Sequence, residues 1–317
     1  MHVRFWGTRG SLPVALTATE VRGKIIAALT AADGRTFASP AAIEAFADNL
    51  PFAVAGTYGG HSSCVEILAG GPEHVICDLG SGARALAQAK LQQWGPAAQT
   101  YHVFLSHPHW DHLMGFPFFT PAYIPGNRVI IHGCHAQLAE AVRLQMVPLC
   151  FPVHFDGLGA SIEFDVLQPG KIYAIAGLEV TAMAQRHGGD SYAYRFTGGG
   201  KSVVYATDSE HRPGDHEEFR ACADFFRDAD LVVFDAMYSL ADAVSVKADW
   251  GHSSNIVGVE LCQAAGARRL ALFHHEPVHG DEALCRILAE TRRFEEITRT
   301  GAPLEVLAAY DGLTVAL

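Results

Sequence analysis

The chain predicts an α/β fold, two β-sheets packed face to face with helices outside, as one large domain or two small ones. Three observations predict it. Short apolar runs rich in β-branched and aromatic residues alternate with longer stretches of helical spacing. The start is β-rich, the middle mixed and the end alternates strand with helix, which suits layered sheets covered by helices. At 317 residues and 49% hydrophobic content, the chain can bury a core of that size.

In chain order, short β-rich runs place strands at 3–6, 64–68, 74–77, 102–105, 129–132, 178–182, 192–196, 202–206, 231–234, 269–273 and 304–308. Leu, Ala and Val spaced against charge place helices at 83–93, 136–146, 216–229, 255–265 and 281–298. Gly198-Gly199-Gly200 reads as a hairpin turn. One segment exceeds what the sandwich needs. Between Gly10-Ser11-Leu12-Pro13 and Tyr58-Gly59-Gly60-His61-Ser62-Ser63-Cys64 lies an insertion at about 14–57, with helical patterning at 18–32 and 40–49. The plain reading is decoration. The functional readings are a homodimer contact or a wall of the active site, because its ends flank the expected mouth.

Composition excludes several classes. A net charge of −11 and a pI near 5.8, without any basic run, argue against a general nucleic-acid surface, which needs clustered Lys and Arg. The 7 cysteines are scattered and lack CxxC spacing, so they read as buried thiols in a reducing compartment. Met1-His2-Val3-Arg4-Phe5-Trp6 runs straight into a strand, so no leader is expected, and no apolar run approaches the ~20 residues of a membrane span. The expectation is a soluble, cytoplasmic protein.

The chemistry concentrates in His107-Pro108-His109-Trp110-Asp111-His112, directly after the apolar run Tyr101-His102-Val103-Phe104-Leu105-Ser106. Neutral imidazole nitrogen and carboxylate oxygen are the usual ligands of zinc and similar divalent ions. In extended backbone, His107 and His109 point the same way, and Asp111 and His112 can then reach a second ion. A His-rich surface turn is the bland alternative. The pattern points to a binuclear metal site.

This run resembles the metallo-β-lactamase superfamily, and the later motifs resemble its ribonuclease Z-like and cyclic-phosphate phosphodiesterase branch. The resemblance spans nearly the whole chain, from Gly7-Thr8-Arg9-Gly10-Ser11 to Tyr310-Asp311-Gly312. It implies the four-layer αβ/βα sandwich of the metallo-β-lactamase fold as a single domain over residues 1–317, and two divalent ions, zinc foremost, with manganese or iron as alternatives. Arg186-His187-Gly188-Gly189 before a strand is similar to the third metal motif. Asp208, at the end of 202–206, matches the bridging carboxylate, and His274 matches the final ligand, with His275 as runner-up. The implied division gives His107, His109 and His187 to one ion and Asp111, His112 and His274 to the other, with Asp208 between.

Val233-Phe234-Asp235 and Asp249-Trp250-Gly251-His252-Ser253-Ser254 resemble the branch's acidic strand end and His-Ser motif. They imply His252 as general acid, oriented by Asp235, which stands where Glu is more usual. A water shared by two cations is ionised near neutral pH, and Asp111 belongs to the machinery that would hold it. The implied activity is a metal-dependent phosphodiesterase acting on a small or cyclic phosphodiester. Arg9 and His61, on Gly-rich loops flanking the insertion, are its candidate substrate contacts. The rival readings are a glyoxalase II-like thioesterase or an iron-dependent sulfur dioxygenase, which share HxHxDH but lack the Asp235/His252 pair.

Overall fold

The computed structural model describes residues 1–212, 214–238 and 250–317; Asp249 of the His-Ser motif lies outside them. Two seven-stranded sheets pack face to face. The first has the order β14-β1-β2-β3-β4-β5-β6, built from β1 (His2–Gly7), β2 (Cys64–Leu68), β3 (His74–Cys77), β4 (Thr100–Phe104), β5 (Arg128–Gly133), β6 (Ser161–Val166) and the C-terminal β14 (Thr314–Ala316). The second has the order β13-β12-β11-β10-β9-β8-β7, from β7 (Ile172–Ile175), β8 (Leu178–Gln185), β9 (Ser191–Gly198), β10 (Lys201–Ala206), β11 (Leu231–Asp235), β12 (Arg269–Phe273) and β13 (Glu305–Ala308). Each sheet is half antiparallel and half parallel: β3 to β6 run parallel in one, β10 to β13 in the other.

Parallel strands need crossovers, and the helices supply them on the outer faces. α4 (Ala83–Trp94), α5 (Trp110–Leu113) and α6 (Leu138–Leu144) serve the first sheet; α7 (His216–Phe226), α8 (Asn255–Ala265) and α9 (Asp281–Thr298) serve the second. Strands covered on both faces must be apolar throughout, and every residue of Leu231–Asp235 is buried. Phe5, Phe104, Tyr194, Phe196, Tyr205 and Phe273 fill the space between the sheets. The Gly199-Gly200 hairpin has both glycines at positive φ, 60° and 71°, which matches the twist of β9 and β10.

The insertion is helical, as patterned. α1 (Ala18–Ala31) starts with a Thr17/Glu20 capping box, α2 (Pro40–Asp48) with a Ser39 cap, and α3 (Phe52–Ala55) follows. No residue of α1 or α2 is buried. The segment is latched to the body by Lys24, whose Nζ lies 2.6 Å from Asp281 and donates to the Gly56 carbonyl at 2.8 Å. Phe52 adds an apolar hold, with its ring 4.8 Å from Tyr58 and 4.9 Å from Tyr310. Val21, Ile25 and Leu29 form a solvent-facing stripe at helical spacing.

Candidate metal centre

The fold brings the carboxyl ends of its parallel strands to one seam between the sheets, the usual place for a site in α/β architecture. β3 delivers Asp78, β4 leads into His107, β10 into Asp208, β12 into His274, and β11 ends in Asp235. His187 follows antiparallel β8.

Among the described residues, four overlapping groups have ligand atoms within 4.8 Å of one another: His107, His109 and His187; Asp111, His112, Asp208 and His274; and two smaller ones that share members with these through His252, namely His187, Asp208 and His252, and Asp235, His252 and His274. His109 Nδ1 lies 2.8 Å from His107 Nε2 and 3.2 Å from His187 Nε2. Asp111 Oδ2 stands 3.2 Å from His112 Nε2 and 3.1 Å from His274 Nε2. Asp208 joins the first two: Oδ2 is 3.7 Å from both His107 and His187, while Oδ1 is 3.2 Å from both His112 and His274. One oxygen faces each cluster. His275 turns away and donates from Nε2 to the Ala309 carbonyl at 2.8 Å.

Outer hydrogen bonds aim the inner nitrogens. His112 Nδ1 donates to Asp78 at 2.7 Å, and His187 Nδ1 donates to the Gly251 carbonyl at 2.7 Å, so both Nε2 lone pairs point inward. Glycine is required where the backbone comes this close. A Cβ on Gly251, which sits at φ 83°, would meet His187 Nδ1 at 2.4 Å, and one on Gly10 would meet His274 Nδ1 at the same distance.

Burial, helped by neighbouring imidazoles, holds His107 and His109 below the usual histidine range, in the neutral form that binds cations. Burial opposes charge on His112 too, but Asp111, Asp208 and Asp78 override it and push its pKa up. Against burial, the facing imidazoles hold Asp111 and Asp208 well below the carboxylate range. His112 Nε2 is buried 3.2 Å from both Asp111 and Asp208, yet makes no well-directed hydrogen bond to either. Converging imidazole nitrogens, two carboxylates set among them and a buried nitrogen without a directed hydrogen bond fit divalent cations.

Residues 74–275 match the beta-lactamase superfamily domain, more than half of the chain. The chain belongs to the β-lactamase superfamily. A probable metallo-hydrolase, YhfI of Bacillus subtilis (strain 168), is 27% identical over 241 residues, covering 71% of this chain and 88% of that protein. A diphosphatase of the PhnP family superposes with TM-score 0.60 at 17% identity, over 100% of this chain and 97% of that one. The short form of human tRNase Z superposes at 0.59 and 18%, over 100% and 99%. At such identities the superpositions speak for the fold.

In this superfamily member, Asp235 and His252 meet beside the clusters. Buried Asp235 Oδ2 accepts from His252 Nδ1 at 2.9 Å and from the Ser209 N–H at 3.1 Å, while Oδ1 accepts from the Met237 N–H at 3.1 Å. The short Asp arm therefore reaches its partner. The His252 ring lies 5.1 Å from those of both His187 and His274. Burial opposes its charge, but Asp235 wins and pushes its pKa up to about 9.

The two expected substrate contacts sit differently. Arg9 is buried, and its guanidinium donates to the carbonyls of Gly59 (3.0 Å), His279 (2.7 Å) and Glu276 (3.3 Å), so it ties loops together. What its loop gives the centre is the Ser11 N–H, donated to Asp111 Oδ2 at 2.8 Å. His61 is half-buried with Nδ1 3.3 Å from the Ser81 hydroxyl. Sequence reasoning missed Asp78, which also accepts from the Ser106 amide and hydroxyl and from the Tyr205 hydroxyl. An Asp ending an apolar strand, the same signal used for Asp208, would have found it. It also missed His135, whose Nε2 donates to the Asp190 carbonyl at 3.0 Å and steadies the loop after His187.

Proposed function

We propose that this protein is a binuclear metal-dependent phosphodiesterase that cleaves a small or cyclic phosphodiester. The observation that carries this reading is the Asp235–His252 pair beside two clusters joined by Asp208. His107, His109 and His187 would hold one ion and Asp111, His112 and His274 the other, with Asp208 between; zinc suits the N/O donor set, and manganese or iron could replace it. When bound, such ions supply an ionised water and neutralise charge on the phosphoryl oxygens.

The chain's own contribution is the proton. With Nδ1–H committed to Asp235, protonated His252 keeps Nε2–H for the leaving oxygen, which departs poorly as an alkoxide. A thioester needs no such donor, because a thiolate leaves unaided. The net charge of −11 supports a small substrate over a nucleic-acid polymer.

The test is metal analysis of purified protein together with turnover of bis-p-nitrophenyl phosphate, cyclic nucleotides, thioesters and lactams. About two ions per chain and phosphodiester turnover are expected, and Asp208→Ala should lose at least one ion and nearly all activity. Turnover of thioesters alone, or full activity without metal, sinks the reading.

A further inference from the structure

Tryptophan is rarely left in water without a use, because its large apolar face gains from being covered. Trp6 is 8% and Trp94 44% exposed, whereas Trp110 is 74% and Trp250 63% exposed. These two are not scattered. Trp110 adjoins His109, the exposed member of the His107/His109/His187 cluster. Trp250 adjoins Gly251, whose carbonyl holds His187. A continuous row runs from His109 Nδ1 to His187 Nε2 (3.2 Å) and from His187 Nδ1 to Gly251 O (2.7 Å), and the residue next in the chain to each end, Trp110 after His109 and Trp250 before Gly251, is an exposed tryptophan. Leu12, 59% exposed, adjoins Ser11 on the loop whose N–H binds Asp111. Arg186, next to His187 in the chain, is already paired with Asp215 and Glu218.

We infer that Trp110 and Trp250 form an aromatic clamp at the mouth of the metal centre, which holds the organic group retained on the phosphate. The clamp selects phosphodiesters carrying a planar aromatic substituent over those carrying a small alkyl group. This rests on the phosphodiesterase reading and names the substrate class within it. Stacking of a flat ring on an indole is sequence-tolerant and strong enough to discriminate.

The test fixes the leaving group and varies the retained one: methyl, phenyl and 1-naphthyl p-nitrophenyl phosphates with the metal-loaded enzyme. kcat/KM should rise about tenfold from methyl to naphthyl, a typical worth of one stacked ring. Trp110→Ala and Trp250→Ala should each shrink that ratio toward one, and Trp110→Phe should restore most of it. A flat series in the native enzyme, or a ratio that neither substitution moves, overturns the clamp. Equilibrium binding of 1-naphthyl phosphate against methyl phosphate gives an independent reading. If no diester is cleaved, the phosphodiesterase reading fails, while a naphthyl preference that Trp110→Ala abolishes still upholds the clamp and equal binding overturns it.

Discussion

At the scale of single residues, the centre is defined as much by what aims the ligands as by the ligands. Asp78 fixes the His112 tautomer from the far side of the ring. Asp78→Asn keeps a side chain that tolerates its φ of 59° but loses the charge, so metal affinity should fall ~10–100-fold; competition with a chromogenic chelator measures it. His252→Ala should retain both ions yet lower turnover ~10²–10⁴-fold on alkyl leaving groups, and far less on p-nitrophenolate. An equal loss on both, or loss of metal, would make His252 a ligand or a helix-capping residue instead. The His/Asp run was legible as a cluster because chemistry is concentrated there: imidazoles and a carboxylate crowd one turn where a buried strand ends. Asp78 carried the same signal as Asp208, an Asp closing an apolar strand, but stood alone in the sequence, without neighbouring imidazoles to mark it. The Arg9 side chain misled because a Gly-rich loop looks the same whether its cation faces a substrate or its own carbonyls.

At the scale of elements, burial decided what could be read. Core strands such as Cys64–Leu68 and Arg269–Phe273 stand at the boundaries their apolar runs predict. β6, β7 and β14 escaped notice because they mix exposed with half-buried or buried residues and show no apolar run. The insertion's helices were legible from spacing and caps, but their anchorage was not, since a single Lys–Asp contact leaves no pattern. That anchorage is testable. Lys24→Met should release the segment, at a local cost of ~1–3 kcal/mol, and speed thermolysin cleavage in the loop at 33–39. An unchanged cleavage rate would show that Phe52 alone suffices.

At the scale of the whole molecule, acid should be the weak side. Burial holds His132 and His211 at about 4 and His275 at about 3, with His102 also lowering His132 and Arg9 also lowering His275. The unfolded chain protonates these residues as pH falls through about 6.5, while the folded chain resists until pH 4 or below. Stability from these groups is therefore complete above about 6.5 and drains as pH drops toward 4, by up to about 4 kcal/mol per pH unit near pH 5. The urea midpoint should fall between pH 7 and 5, and His132→Gln should lessen the fall by about one proton's worth. A midpoint indifferent to pH would refute this. The backbone of the centre carries a different consequence. Ser11, Asp78, Asp208 and His274 all sit at positive φ, between 45° and 59°, which side-chain-bearing residues adopt at a cost of order 1 kcal/mol or more. Selection for sturdiness alone would thus erode this centre first, drifting those positions toward Gly or Asn. A descendant with Gly or Asn at 208 or 274 should keep the sandwich and purify without metal, a fossil of the enzyme that metal analysis would expose.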